Sequence, residues 1–162
     1  MSSPGDTRVS ASRLAWIRMT VLASLLSACS GTRPTDLGLT SGLLRPCPGT
    51  PNCVSSEAGT PPDKQVALFA APGGRADMPR LVDLVAAWPR TKIVTNTGDY
   101  LHAESTSLIW RFTDDVEFRL DSAAKVIHVR SASRLGKGDL GVNRKRVEGM
   151  RDAWFKTFGG AK

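Results

Sequence analysis

The sequence predicts a two-layer α+β domain, preceded by a signal peptide and a flexible tether. One antiparallel sheet of about five strands is expected to pack its apolar face on two helices. Three observations carry this expectation. Short runs between Lys92 and Ser131 alternate apolar and polar residues, with turn residues between them. Two longer stretches repeat their apolar residues at helical spacing. Ahead of Arg45 the chain has a basic start, an uncharged run and a stretch rich in Pro, Gly, Ser and Thr. A chain of 162 residues, 41% of them hydrophobic, suffices for one packed domain and a leader.

The leader comes first. Arg8, Arg13 and Arg18 precede the uncharged run Met19–Ala28. That run is half the roughly twenty residues a spanning helix needs, but it suits the core of a secretory signal. Leu26-Ser27-Ala28-Cys29 resembles the lipobox of bacterial lipoproteins. The resemblance implies cleavage after residue 28 and lipid on Cys29, with residues 29–44 as a lipid-anchored tether. Ser30, rather than aspartate, follows the cysteine and points to the periplasmic face of the outer membrane. Losing residues 1–28 removes three Arg and one Asp, leaving 19 basic and 14 acidic side chains, a net charge of +5. That mild excess suits an anionic lipid or glycan, or an envelope protein, and makes no case for nucleic acid.

Cys47 and Cys53 remain. A zinc site would need two more ligands nearby, and a redox pair has closer spacing before a helix. Two cysteines in an exported chain, in a loop of Pro and Gly, predict a disulfide.

The domain is expected over residues 45–162. Val66–Ala70 reads as an edge strand and Ala71–Asp77 as a loop. Met78, Leu81, Val82, Val85 and Trp88 form one helix face, with Asp77 as the cap and Pro89 as the stop. Lys92–Asn96 reads as a strand, Thr97–Asp99 as a turn and Tyr100–Ser107 as a strand. Leu108–Phe112 follows as an apolar strand, and Thr113–Asp115 as a turn. Val116–Leu120 and Val126–Ser131 are strands joined through Asp121–Lys125. Short connections make these strands an antiparallel meander with one polar, outward face. Ser133–Gly141 is a glycine-punctuated loop. Asn143, Val147, Met150, Trp154 and Phe158 then line one face of a last helix, ended by Gly159 and Gly160.

Four blocks carry a family resemblance: "CPGTPNCVSS", "YLHAESTS", "DDVEFRLD" and "VIHVRSASRLGKGDLGVNRKRVE". In this order they resemble the signature blocks of domain of unknown function 1499 (DUF1499). The resemblance covers about Arg45 to Phe158. It implies a bacterial envelope protein and supplies no activity and no catalytic residues.

Three constellations invite chemistry. Arg130, Arg134, Lys137, Arg144, Lys145 and Arg146 crowd the last strand, the loop and the start of the last helix. Cations at a helix N-terminus run against its dipole and suggest an anion site. The plainer and preferred reading pairs Arg130 and Arg134 with Asp114, Asp115 or Asp139. Asp139 is also a candidate cap for the last helix. Second, His102, Glu104 and His128 share the polar sheet face with Arg111, Glu117 and Arg119, and two His with a Glu could form a metal site. Cross-strand pairing explains them as well, and no metal or other cofactor is expected. Third, Ser131 or Ser133 with a histidine could serve a hydrolase, although no nucleophile elbow is present. The expected function is a lipid-anchored, non-catalytic binding or structural module. The alternative is an envelope hydrolase or metal-dependent enzyme using the polar face.

Overall fold

The computed structural model describes residues 31–108 and 111–157. Cys29, Ser30 and the expected leader lie outside the described residues, as do Ile109, Trp110, Phe158, Gly159 and Gly160. Eight strands and two helices run in the order β1 (Leu39–Thr40), β2 (Leu43–Leu44), β3 (Cys53–Ser55), β4 (Phe69–Ala70), α1 (Met78–Ala86), β5 (Thr91–Asn96), β6 (Tyr100–Thr106), β7 (Thr113–Asp121), β8 (Val126–Ser133) and α2 (Val142–Thr157). Strands β5 to β8 form the expected antiparallel meander. The sheet has six strands, because β3 and β4 both pair with the outer side of β8. The β1–β2 hairpin is a separate two-stranded unit.

The apolar face follows from the period of two. Leu101 and Ala103 on β6, Val116, Phe118 and Leu120 on β7, and Ile127 and Val129 on β8 point to one side. There they meet Met78, Leu81 and Val85 of α1, and Val147, Met150 and Trp154 of α2. Phe69 of β4 closes this core edge-on to both Phe118 and Trp154. The Trp154 indole N–H donates to the Ala70 carbonyl at 2.8 Å, so the ring is buried with its polar atom satisfied. Gly149 permits the two helical layers to meet, since a β-carbon there would lie 3.1 Å from the Trp88 ring.

Five local expectations change. Of the expected strand Leu108–Phe112, the described residues Leu108, Arg111 and Phe112 are not in a strand, and Thr113–Asp115 is not a turn. Residues 107–112 make the β6–β7 connection, closed by the Ser107 and Phe112 backbones, while Thr113–Asp115 opens β7. Local composition reads the other way because apolar runs suggest strands and carboxylates suggest turns. Tertiary pairing decides here, since Asp114 and Asp115 each meet an arginine. Asp77 does not cap α1; its carboxylate accepts the Gly73 N–H at 2.8 Å, ahead of a 3-10 turn over Gly74–Asp77. The expected tether is ordered from Gly31 to Leu44 and lies on the sheet, with Leu44 buried. Finally, the polar face does not look outward to solvent, because this segment covers it.

Cys47 and Cys53 are joined, with Cα atoms 5.6 Å apart. The bridge ties the covering segment to the start of β3, and Cys53 is fully buried. Replacing both cysteines by serine is expected to cost about 2 kcal/mol in urea unfolding, from the loop-closure entropy of so short a ring. An unchanged urea midpoint would contradict that role. Thiol reagents applied to the unreduced protein should label neither position.

Candidate functional site

The sheet face opposite the helices carries most of the side chains capable of chemistry. Antiparallel register sets them in rows. Tyr100, Arg119 and His128 form one row across β6, β7 and β8; His102, Glu117 and Arg130 form the next; Glu104, Asp115 and Ala132 form the third. A charged strand face normally stays wet, because an unpaired buried charge is costly. Here the rows are covered by the chain from Gly31 to Leu44 and by the segment after β3, and they are neutralised by pairing.

Glu117 stands at the centre. One oxygen accepts from the Tyr100 hydroxyl at 2.8 Å and the Gly38 N–H at 3.0 Å. The other accepts from Arg130 Nη1 at 3.0 Å. Glu117 is 0% exposed and Arg130 1%. Burial pulls the Arg130 guanidinium below its ordinary range, with Glu117 opposing. Burial and the Glu117 charge both push the Tyr100 phenol well above its ordinary value.

Glu57 reaches the same face from the loop after β3. It takes a fork of two bonds from Arg119, at 2.5 and 2.7 Å, and one from the Leu44 N–H at 3.0 Å. His128 Nδ1 lies 3.5 Å from it. At the other end, Asp115 is bonded by His102 Nε2 at 2.8 Å and by Arg134 at 2.7 and 2.9 Å. Arg134 continues to Glu104, which also accepts from Arg33 Nε at 2.7 Å. Burial alone would raise the carboxyls of Glu57, Glu104 and Asp115. The arginine bonds outweigh it and hold all three below their ordinary values. The same bonds, that to Asp115 first, raise the Arg134 guanidinium further.

The opposite face holds a second polar cluster between β8 and α2. Arg146 donates to Asp114 at 2.5 Å, to Asn143 Oδ1 at 2.8 Å and to Ser131 Oγ at 3.2 Å. Asn143 is completely buried. Its amide nitrogen donates to the Asn52 carbonyl, Ser133 Oγ and Asp139 Oδ2. Asp139 caps α2, as expected, by accepting the N–H groups of Gly141 and Asn143 at 3.0 and 2.8 Å.

These placements resolve the three constellations. The six cations do not converge. Arg130 and Arg134 lie on the covered face, whereas Arg146 projects from α2 on the helix side, where it meets Asp114, the β7 neighbour of Asp115 that points the opposite way. Arg134 takes Asp115, one of the expected acids, whereas Arg130 takes Glu117 and leaves Asp114 to Arg146. Arg144 donates to the Gln65 and Asp63 carbonyls at 2.9 and 2.7 Å, and Lys137 and Lys145 are exposed. His102, Glu104 and His128 share a face but belong to separate pairs, and no group of three metal-ligating acids, His or Cys is found among the described residues. Ser131 and Ser133 sit across the sheet from both histidines, and the Ser131 hydroxyl donates to Asn143 at 2.5 Å.

Sequence reading missed Glu57, Asn143 and Tyr100 as members of these networks. Asn143 had a signal, a polar residue in line with an apolar helical stripe. Tyr100 was on the right face but its partner was not evident. Glu57, an acid in a loop, had none.

Two outcomes follow from this charge arrangement. Arg130→Met removes the cation facing Glu117 and should cost about 3–5 kcal/mol in urea unfolding, with part regained when Glu117→Met is added. A loss under about 1 kcal/mol would show that the pair is dispensable. Acid should also destabilise the fold in a defined sense. The three carboxyls titrate lower in the folded than in the unfolded chain, so unfolding takes up protons. Their contribution is complete above the unfolded values near 4.5 and 3.8 and is lost as pH falls through the folded ones. The urea midpoint should therefore drop below about pH 5, and less steeply in Glu57→Gln, which starts from lower stability.

Neither a curated protein nor a solved structure is matched by the chain. A family match covers residues 43–154, from β2 to Trp154, and thus includes the disulfide and both polar clusters apart from Arg33 and Gly38. The chain belongs to the family described as protein of unknown function (DUF1499).

Proposed function

We propose that this chain is an exported lipoprotein that loses residues 1–28, carries lipid on Cys29 and holds a non-catalytic binding or structural module at the periplasmic face of the outer membrane. The observation that carries the non-catalytic part is the mutual pairing of the acids and histidines on the polar face, where Arg130 keeps two buried nitrogens, Nε and Nη2, without a hydrogen-bond partner. Glu57, Glu104, Asp115 and Glu117 each hold an arginine. His102 is bonded to Asp115, and His128 lies beside Glu57 and the Ser56 carbonyl. A general acid or base must reach a substrate proton, and these groups reach one another beneath the covering segment. A groove of about 610 Å³ between the β1–β2 hairpin and residues 57–61 contains one acid, Glu57, which Arg119 and Leu44 already occupy.

The export part is supported by the order of basic start, uncharged run and Leu-Ser-Ala-Cys, and by a disulfide, which persists in oxidising compartments. The partner is then the membrane, through the anchor, with an anionic envelope lipid, glycan or protein as the bound component.

The test is metabolic labelling of the full chain with radioactive palmitate in a bacterial host, followed by detergent phase partition. The wild type should carry label and enter the detergent phase. Cys29→Ala should do neither. A wild-type chain without label would overturn the anchor.

A further inference from the structure

The chain enters the described fold beside an exposed apolar face. Gly31, with φ 68°, is the first described residue, and a β-carbon there would lie 3.0 Å from both Arg134 Cβ and Leu135 Cγ. The chain therefore begins pressed on the β8–α2 loop. Arg33 then pairs with Glu104, near the end of β6 that leads into residues 107–112. Both contacts bring the chain in at one end of the sheet, where β6 ends, β7 begins and β8 ends.

Five of the eight exposed large apolar side chains among the described residues lie at this end, Leu108, Phe112, Leu135 and Leu140 in the two loops and Val142 at the start of α2. The last four line one groove of about 260 Å³. Leu140 breaks two local preferences together. Its side chain is 97% exposed, and its backbone has φ 53°, a left-handed conformation that a leucine rarely adopts. Scattered surface leucines need no explanation, but a cluster at one end of a small domain marks an interaction face. The rim is positive. Arg111, Lys137 and Lys145 are exposed on or beside these loops. The two acids of the groove are engaged, Asp114 by Arg146 and Asp139 by the N–H groups that open α2.

We propose that this end of the domain docks on an anionic lipid bilayer, with the apolar tips in the headgroup layer and Arg111, Lys137 and Lys145 facing the lipid phosphates. Apolar tips flanked by cations are the composition that interfacial membrane binding selects. The inference rests on lipid attachment at Cys29. Two residues of chain reach at most about 7 Å, so acyl chains on Cys29 would enter the bilayer next to Leu135. The lipid holds the protein at the membrane, and the loops set its orientation. The β7–β8 turn over residues 122–125 is then held away from the surface, toward other envelope components.

The experiment uses the full chain, processed in a bacterial host and reconstituted in vesicles of phosphatidylethanolamine with phosphatidylglycerol. A fluorophore is placed at Leu140→Cys or, as the distal control, at Ser122→Cys in the β7–β8 turn. Lipid-embedded and water-soluble quenchers are compared. Docking predicts several-fold stronger lipid quenching at position 140 than at 122. That difference should be lost in Phe112→Ser/Leu135→Ser and reduced in vesicles lacking phosphatidylglycerol. Anchored protein with equal quenching at both positions overturns the docking face and leaves the anchor standing. Shielding of position 140 from the water-soluble quencher without lipid quenching assigns the face to a protein partner or a second copy, and overturns it too. Protein that never joins the vesicles overturns both readings.

Discussion

Glu117 is a carboxylate without exposed surface in the middle of the longest strand, and three parts of the molecule meet on it. Tyr100 reaches it from β6, Arg130 from β8 and the Gly38 backbone from the covering segment. A buried carboxylate is tolerable only where its oxygens are bonded and its charge is answered. That requirement accounts for much of the arrangement around it. The arginine must lie across the strand, the tyrosine must donate its hydroxyl hydrogen bond, and the chain ahead of β3 must fold back to offer an N–H. The β1–β2 hairpin is too short to be stable by itself. It is held by backbone N–H groups donated to Glu117 and Glu57, by burial of Leu44 and by the disulfide that follows it.

The sheet consequently has two differently built sides. Its helix side is an apolar core of ordinary kind, where shape and burial decide stability. Its other side is a charge lattice, where one missing partner strands another. Polar pairs of this type are poor sources of net stability but strong constraints on register. Sliding β7 by one residue against β8 would separate Glu117 from Arg130 and place Asp115 and Arg119 against the core. The polar face reads better as the device that joins the leading segment to the sheet than as a place where a substrate is handled. Apolar side chains are instead exposed at the sheet end, where two loops carry leucines and a phenylalanine beside cations.

Much of the framework was legible in the sequence. Alternation from Tyr100 to Ser131 marked the meander, and both helical stripes named core residues that the fold buries, such as Leu81, Val85, Val147, Met150 and Trp154. The cysteine pair was legible because the leader, composition and spacing narrowed its chemistry together. The β6–β7 boundary was not, because Leu108–Phe112 looks like a strand and Thr113–Asp115 like a turn until their partners are known. The site was half legible. Face membership of His102, Glu104, Glu117, His128 and Arg130 came from the period of two, but their partners depended on strand order and on a loop acid.

By itself, the sequence determined the α+β class, the apolar faces and the antiparallel sense of the meander, because each is written in local spacing, and it determined the disulfide through spacing and composition together. The tertiary structure alone decided that the polar face is covered rather than wet, that Arg130 and Arg146 lie on opposite sides of one sheet, and that Gly31 begins beside Leu135. Those facts depend on contacts between residues far apart in the chain. Glu57 and Arg119 are separated by 62 positions and Gly38 and Glu117 by 79. No local pattern encodes which distant charge will complete a buried pair, since many acids and bases in the chain would satisfy the same rule and only the folded geometry selects among them.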